Sequence, residues 1–438
     1  MNYTKETLKL FWRLVRPNPV LLSSMIVSDI LATVLFRIIP PLYAAEIIRR
    51  LSSGDYIAGD FWNSFHAEIL IFSTSLILGG VFLKRIELWM RFRMEMKVEQ
   101  RIKTMLHDKY LELDTSFHAD NFSGSLTARS GKLITAYVRF ADSIFHPTIQ
   151  MLSVIASVYI IVSQVALNFL IIFTIIAAVF AGIAFKLSPW VSKKFIAKAR
   201  VNNYTTGLLA DTITNIITVK SYANSTHERR LYRKSSDESK GLLGQAGRAV
   251  LIRDTLFGTI TTFFSISAMI VAIIAIVEQN ANLAIAFLLL TYADNLVDQL
   301  FFFGTAVINN FDRSMGDAQE GVDTLHAEPA IKEPTKPKKL SIKKAEISFK
   351  NATFTHGGSD EALFTDFNLH IRTGEKIGLV GHSGGGKSTL TKLIMRFMDL
   401  DSGEILIDGQ NITHVKQDDL RSHLAYVPKE PVIFHRSI

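Results

Sequence analysis

Nine consecutive residues in the last quarter of the chain carry its clearest chemistry. They are Gly381, His382, Ser383, Gly384, Gly385, Gly386, Lys387, Ser388 and Thr389, and the first eight fit the pattern G-x-x-x-x-G-K-[ST]. In a loop of this type, backbone N–H groups surround phosphate oxygens and glycine allows their close approach. Lys387 can reach the β- and γ-phosphates, and the Ser388 hydroxyl can ligate Mg²⁺. The motif therefore predicts a nucleotide phosphate site with Mg²⁺.

The segments on either side of the motif fit this interpretation. Residues 376–380 are mostly apolar and predict a buried strand that enters the loop. Residues 390–397 predict a helix that leaves it, and a helix N-terminus favours bound anions. The alternative is a glycine-rich turn without a ligand, and the strand–loop–helix context favours the phosphate site over it.

The composition indicates a membrane protein with a charged soluble part. The chain has 438 residues, a net charge of +8 and 20% charged residues, and its mean hydropathy is nevertheless +0.23. It contains no cysteine, which excludes disulfides, thiolate metal sites and a cysteine nucleophile. We interpret the excess of lysine and arginine as the cytoplasmic excess of a membrane protein and expect no nucleic-acid partner.

Residues 1–19 predict an amphipathic helix that lies on membrane lipid. Apolar side chains recur at helical spacing among basic ones, and two prolines then end the helix. The apolar residues are Leu8, Phe11, Trp12 and Val15, the basic ones are Lys5, Lys9, Arg13 and Arg16, and the prolines are Pro17 and Pro19.

Six apolar segments follow, and each is long enough to cross a bilayer, which takes about 20 residues. They are 20–48, 64–90, 141–163, 165–188, 255–278 and 281–310. The second and fourth gaps are long and carry the lysines and arginines that flank the spans, so the positive-inside rule places these gaps and both ends of the chain in the cytoplasm. Both gaps are amphipathic, which predicts that the helices continue into the cytosol and turn there at short connecting helices.

Several polar residues lie within the predicted spans. They are Asp29 and Arg37 in the first, Asp294, Asn295, Asp298 and Gln299 in the sixth, and Arg139, Asp142, His146 and Gln150 at the entry to the third. The last four recur at i, i+3, i+7 and i+11, which places them on one helix face. Two interpretations stay open: a polar path for a substrate, or hydrogen bonds and ion pairs between helices.

The pattern changes after a linker at 327–344, which contains three prolines and six lysines. Alternating apolar residues then predict strands at 346–353, 367–371, 404–407 and 425–427. Together with the phosphate loop they predict an α/β domain from 345 to 438, after a six-span domain at 20–326.

The chain resembles a half-transporter of the ATP-binding-cassette exporter family. The resemblance rests on 377–390 for the phosphate loop, 402–409 for the strand and turn that follow it, Phe117, Gly124, Leu126 and Arg129 for the first intracellular loop, and 215–222 for the second. It implies a membrane all-α six-helix exporter domain with long intracellular extensions, followed by an incomplete α/β P-loop nucleotide-binding domain.

The resemblance also implies a function and partners. The expected function is export of an unknown substrate, driven by ATP with Mg²⁺ and alternating access, as one half of a homo- or heterodimer with a second half-transporter. The expected location is a cell membrane, the bacterial cytoplasmic membrane in particular.

The chain departs from the family pattern in three respects. His356 occupies the place of the adenine-stacking aromatic, where the family usually has tyrosine, and Lys429 occupies the place of the glutamine that senses Mg²⁺. The signature motif and the catalytic glutamate would lie beyond Ile438, so we expect no catalytic residue in the chain, a C-terminal truncation and a chain that is not itself a competent ATPase. The alternative function is a nucleotide-binding subunit that does not hydrolyse, or a membrane regulator.

Overall fold

The computed structural model describes residues 3–121, 123–164, 167–279, 282–357, 361–382 and 384–428. The chain forms two compact units. The first comprises Met1–Leu106 and Ala128–Asp323, and the second comprises His107–Thr127 and Thr324–Ile438.

The described part of the first 326 residues is almost entirely helical. Its helices are α1 (Tyr3–Val15), α2 (Pro19–Thr33), α3 (Ile39–Ser53), α4 (Phe61–Leu76), α5 (Lys84–Glu112), α6 (Thr115–Asp120), α7 (Ser123–Phe140), α8 (His146–Val162), α9 (Leu167–Thr214), α10 (Ile216–Ser221), α11 (Ser225–Gln279), α12 (Leu283–Phe302) and α13 (Ile308–His326). Four π-helical turns join successive helices without a break, at Val34–Ile38, Ile77–Leu83, Ala141–Phe145 and Phe303–Val307.

Six helical segments of the described residues are long and apolar enough to cross a membrane, as the sequence predicts. They are Pro19–Ser53, Phe61–Glu112, Gly124–Val162, Leu170–Thr214, Ser225–Val277 and Leu283–His326, here called spans 1 to 6. Most of them continue well beyond the apolar run itself. The short helices α6 and α10 lie between spans 2 and 3 and between spans 4 and 5, which confirms the predicted connecting helices.

The aromatic core of the first unit lies where spans 4, 5 and 6 meet. Phe180 and Phe257 stack with ring centroids 4.6 Å apart, and both side chains are buried. A Cβ added at Gly304 would lie 2.6 Å from the Phe180 ring and 2.7 Å from the Phe257 ring. The close approach of span 6 to these rings therefore requires glycine, because no side chain fits there.

The N-terminal helix packs on the bundle with one part of its apolar face. Phe11 is 2% exposed, and its ring lies 5.4 Å from that of Tyr137 and 5.2 Å from that of Phe140. Trp12 is 59% exposed and is available to a lipid surface. The helix ends at Val15, before either proline, and Pro19 instead begins α2, where its missing N–H is not needed.

The polar residues at the entry to span 3 have partners on other helices. The pairs are Arg139–Asp317 at 2.6 Å, Arg91–Asp142 at 3.0 Å and Asp29–His146 at 2.7 Å. The Gln150 amide donates to Asp29 over 3.5 Å. For this helix face, the contacts favour hydrogen bonds and ion pairs between helices over a polar path for a substrate.

A four-stranded antiparallel sheet forms the centre of the second unit. Its strands are β1 (Ile347–Thr355), β2 (Ala362–Ile371), β3 (Ser402–Ile407) and β4 (Gln410–Asn411), in the order β2-β1-β3-β4. The helices α14 (Lys387–Ile394) and α15 (Gln417–Ser422) and a 3₁₀ turn at Ile412–His414 accompany it. Leu390 and Leu393 of α14 belong to the same buried core as Phe349 of β1 and Ile405 of β3.

Two predicted strands are wrong. Residues 376–380 and 425–427 form no strand, and Val380 and Val427 are 94% and 89% exposed. A strand requires a hydrogen-bonded neighbour, and neither segment pairs with any strand among the described residues. The helix predicted at 390–397 begins earlier, at Lys387, and ends at Ile394.

Candidate nucleotide-binding site

Gly386 makes the turn from the phosphate loop into α14. Its φ of +84° lies in the left-handed region, and Gly384 has a φ of +87°. A Cβ at Gly386 would also lie 2.7 Å from the ring of Phe364 on β2. Glycine is therefore required twice at this position, once by the backbone conformation and once by the close approach to the aromatic ring.

Lys387 folds back over the loop that precedes it. Its ammonium Nζ donates to the carbonyl oxygen of Gly381 over 2.8 Å and to that of His382 over 2.7 Å. The two oxygens hold the cation at the centre of the loop and stand in for anionic ligand oxygens. The residues present therefore fit a phosphate group, which would be met by a positioned ammonium and by the N-terminus of α14.

The two hydroxyls that follow Lys387 differ in exposure. Ser388 is exposed, so its hydroxyl fits the position of a Mg²⁺ ligand in this motif. Thr389 is 8% exposed, and its hydroxyl oxygen lies 3.2 Å from Nε2 of His356. The ring of His356 also meets the ring of Phe354 edge-on, with centroids 5.0 Å apart.

The structure thus brings His356 to the first turn of α14. Most of the predicted site residues lie together, namely His356, Gly381, His382, Gly384, Gly385, Gly386, Lys387, Ser388 and Thr389. The predicted residues Ser383 and Lys429 lie outside the described residues.

Sequence reasoning missed the carboxylate that holds the linker. Asp408 accepts hydrogen bonds from the backbone N–H groups of Lys343 at 2.5 Å, Lys344 at 2.8 Å and Glu346 at 2.8 Å. These bonds to the charged form lower the pKa of Asp408 to about 2. The sequence predicts a turn at Asp408-Gly409. It does not indicate which distant backbone groups the Asp408 side chain binds.

A second carboxylate holds the start of the linker. Asp114, which precedes α6, accepts hydrogen bonds from the backbone N–H groups of Ala330 and Ile331. Within the second unit, the connecting helix and the linker are therefore joined directly through one side chain.

Comparison with known proteins decides the family. A family model described as "ABC transporter transmembrane region" matches residues 26–300, and one described as "ABC transporter" matches residues 364–438. The chain belongs to the ABC transporter family. As an ABC transporter with six candidate spans it is a multi-pass membrane protein, and its second unit carries the features of an ATP-binding domain.

Similar proteins agree with this assignment. An uncharacterised ABC transporter ATP-binding protein of Haemophilus influenzae is 29% identical over 346 residues, which cover 77% of this chain and 55% of that protein. Human ATP-binding cassette sub-family B member 6 is 25% identical over 386 residues, which cover 86% of this chain and 45% of that protein. The ABC transporter chain thus spans about half the length of these relatives.

A solved structure shows the same fold. The chain matches a bacterial Atm1-family ABC exporter with ATP bound, with a TM-score of 0.83 and 19% identity, over 95% of this chain and 73% of that one. The exporter fold predicted from the sequence is confirmed by this match.

Proposed function

We propose that this ABC transporter chain is one half of a dimeric exporter that uses ATP and Mg²⁺ to move a substrate across a membrane by alternating access. The observation that carries the proposal is the geometry of Lys387, whose ammonium is held at the centre of a glycine-turned loop by two carbonyl oxygens. A cation held in this way, at the N-terminus of a helix, fits the phosphates of a nucleotide. The chain would therefore bind ATP, which drives the transport, at this loop.

The residues of the loop position and neutralise charge, and none of them acts as a base. The Lys387 ammonium exchanges its two carbonyl oxygens for phosphate oxygens, and the Ser388 hydroxyl is placed to ligate Mg²⁺. Mg²⁺-ATP supplies the free energy when it is bound. The His356 ring, fixed against Phe354 and Thr389, offers an aromatic face to the base.

Two observations support coupling between the nucleotide site and the spans. Asp114 links the start of α6 to the linker within the second unit. In the first unit, apolar side chains at α10 and directly after it face solvent: Ile217 of α10 is 79% exposed, and Tyr222, which follows the helix, is 80% exposed. Such a surface beside the basic Lys220 suits the nucleotide-binding part of a second half-transporter, which would bury it in the dimer.

We propose a cell membrane as the location, with both chain ends on the cytoplasmic side, because the long gaps between spans carry most of the lysine and arginine. The proposed domains are an interfacial helix at 1–19, a six-span domain at 20–326, a linker at 327–344 and a nucleotide-binding part at 345–438.

Inside-out vesicles from cells that express the full-length protein test the proposal. Vesicles are incubated with the small-molecule extract of the same cells, and the compounds that accumulate inside are compared with and without Mg²⁺-ATP. We expect at least one compound to accumulate only with ATP, and only with the wild-type protein rather than Lys387→Ala. Equal accumulation by both proteins would contradict the proposal.

A further inference from the structure

A cluster of buried charged side chains lies between spans 1, 2 and 3, away from the nucleotide site. Asp29 comes from α2, Glu87 from α5 and His146 from α8. The Asp29 carboxylate oxygen Oδ2 lies 2.7 Å from Nδ1 of His146, and Oε1 of Glu87 lies 3.4 Å from the same nitrogen. One ligand atom of each residue lies within 4.8 Å of those of the other two.

The Glu87 carboxylate of this cluster lacks the hydrogen bonds that burial demands. Glu87 is 1% exposed, and neither of its carboxylate oxygens receives a hydrogen bond among the described residues. The nearest cationic nitrogens, of Lys84 and Arg91, are both 3.6 Å away. Asp29 is better partnered, because its Oδ1 accepts from Lys84 and Gln150 and its Oδ2 lies 2.7 Å from Nδ1 of His146. A buried carboxylate without such partners is costly, so the three side chains are set up for a cation.

Acidic and basic side chains from the packed helices surround the cluster. The groups that face it from the packed helices are the carboxylates of Asp29, Glu87, Glu95 and Asp142 and the cations of Lys84 and Arg91. His146 and the neutral amide of Gln150 complete the set.

The cluster also has room for an ion and its water. A cavity of about 170 Å³ adjoins it, lined by Asp29, Glu87 and His146 and by apolar side chains that include Phe11 and Tyr137. One water molecule needs about 10–15 Å³ of such space, so the cavity can complete the coordination of an ion that has three protein ligands.

The ammonium group of Lys84 would compete with a metal ion for the side chains of this cluster. Its Nζ lies 2.9 Å from Nε2 of His146 and 3.3 Å from Oδ1 of Asp29. While Lys84 donates to Nε2, the imidazole proton is on Nδ1, the nitrogen that faces both carboxylates. An ion on Nδ1 moves that proton to Nε2 and releases Lys84, whose side chain is 34% exposed and therefore free to turn away.

We propose that Asp29, Glu87 and His146 form a resident divalent metal site that ties spans 1, 2 and 3 together. Two carboxylate oxygens and one imidazole nitrogen suit Zn²⁺ or Mn²⁺, and three protein ligands leave positions for water. The ion joins three helices that are otherwise held at this point by incompletely paired charges. Its role is to stabilise the first unit of the transporter, and it is distinct from any exported substrate.

The test uses the full-length protein, purified without a polyhistidine tag, stripped of metal and placed in lipid nanodiscs. Zn²⁺ is titrated, bound metal per chain is measured after gel filtration, and thermal unfolding is followed with and without the ion. We expect one Zn²⁺ per chain and a rise in Tm, because a ligand of the folded state stabilises it. Glu87→Gln and His146→Asn should each raise the Kd at least about tenfold, since each removes one ligand.

Two further variants make the result decisive. Lys84→Met removes the competitor and should lower the Kd for Zn²⁺, while His66→Asn, at an exposed histidine of α4, should leave it unchanged. The proposal is overturned if the wild-type protein retains no Zn²⁺, or if Glu87→Gln and His146→Asn both bind it as tightly as wild type. It is also overturned if these variants fail to fold and Lys84→Met does not tighten binding.

Discussion

The imidazole Nε2 of His356 lies 3.2 Å from the hydroxyl oxygen of Thr389. This contact joins the residue after β1 to the first turn of α14, and so connects the segment expected to meet the base to the loop expected to meet the phosphates. The ring of Phe354 also meets the His356 ring edge-on. His356 is exposed, and these two contacts give its ring a defined position.

Replacing His356 tests whether it contacts the base of a nucleotide. We expect His356→Tyr to bind ATP at least as tightly as wild type, because tyrosine gives a larger stacking face. His356→Ala should bind several-fold more weakly, since stacking on an aromatic ring contributes about 1–3 kcal/mol. His370→Ala, at an exposed histidine of β2, is the matched control and should leave the affinity unchanged. Equal affinities in all four proteins would exclude the stacking role.

The turn at Gly386 should not tolerate a side chain. Gly386→Ala forces a left-handed backbone on alanine, at a cost of about 1 kcal/mol or more, and places its Cβ 2.7 Å from Phe364. We expect a lower Tm and loss of tight ATP binding. Gly378→Ala is the control, because it has no positive φ and no atom within 4 Å of the added carbon. If the two variants unfold at the same temperature and bind ATP equally, the loop geometry described here is incorrect.

Asp408 should make the stability of the second unit depend on acid pH. Backbone N–H groups lower its pKa to about 2, while an aspartate in an unfolded chain has a pKa of about 3.9. The stabilisation is therefore present above about pH 4 and is lost as the pH falls towards 2.

The measurement is thermal unfolding of wild type and Asp408→Asn between pH 3 and neutrality. We expect the variant to unfold at a lower temperature near neutrality and the difference to shrink towards pH 3. Asp401→Asn, at an exposed aspartate just before β3, should follow the wild type throughout. A difference that stays constant with pH would show that the charge of Asp408 is not what holds the linker.

The exposed face of α10 should be needed for coupling and not for nucleotide binding. Ile217 is 79% exposed, so Ile217→Asp should not affect folding but should disrupt an apolar contact with a second half-transporter. We expect unchanged ATP affinity and loss of ATP-dependent accumulation in inside-out vesicles. Ile57→Asp, at a residue that is 60% exposed between α3 and α4, is the control and should transport normally. Normal transport by Ile217→Asp would rule out this docking face.

The six spans could be predicted from the sequence because each is a long and mostly apolar segment, and length and composition alone define such a segment. The strands at 376–380 and 425–427 could not be predicted in the same way. Their residues are apolar, but a strand exists only with a paired neighbour, and pairing is a property of the whole sheet. Val380 and Val427 therefore remain exposed.

The candidate site was predictable where the motif itself fixes the geometry, as at Gly386 and Lys387. The partners of isolated polar residues were not predictable. The spacing of Arg139, Asp142 and His146 predicts one face of a regular α-helix, but a π-helical turn at Ala141–Phe145 lies among them and changes that spacing. Their partners come from three other helices, at positions that no local spacing encodes.

The central claim is most directly tested by titrating the full-length protein in nanodiscs with Mg²⁺-ATP. Hydrogen bonds to a charged group contribute about 1.5–3 kcal/mol, so loss of the Lys387 ammonium should weaken binding at least about tenfold. We therefore expect Lys387→Ala to lose tight binding, while Lys392→Ala, at an exposed lysine of the same helix α14, retains it. An unchanged affinity in Lys387→Ala would contradict the account, since the loop would then not be the place where the nucleotide binds.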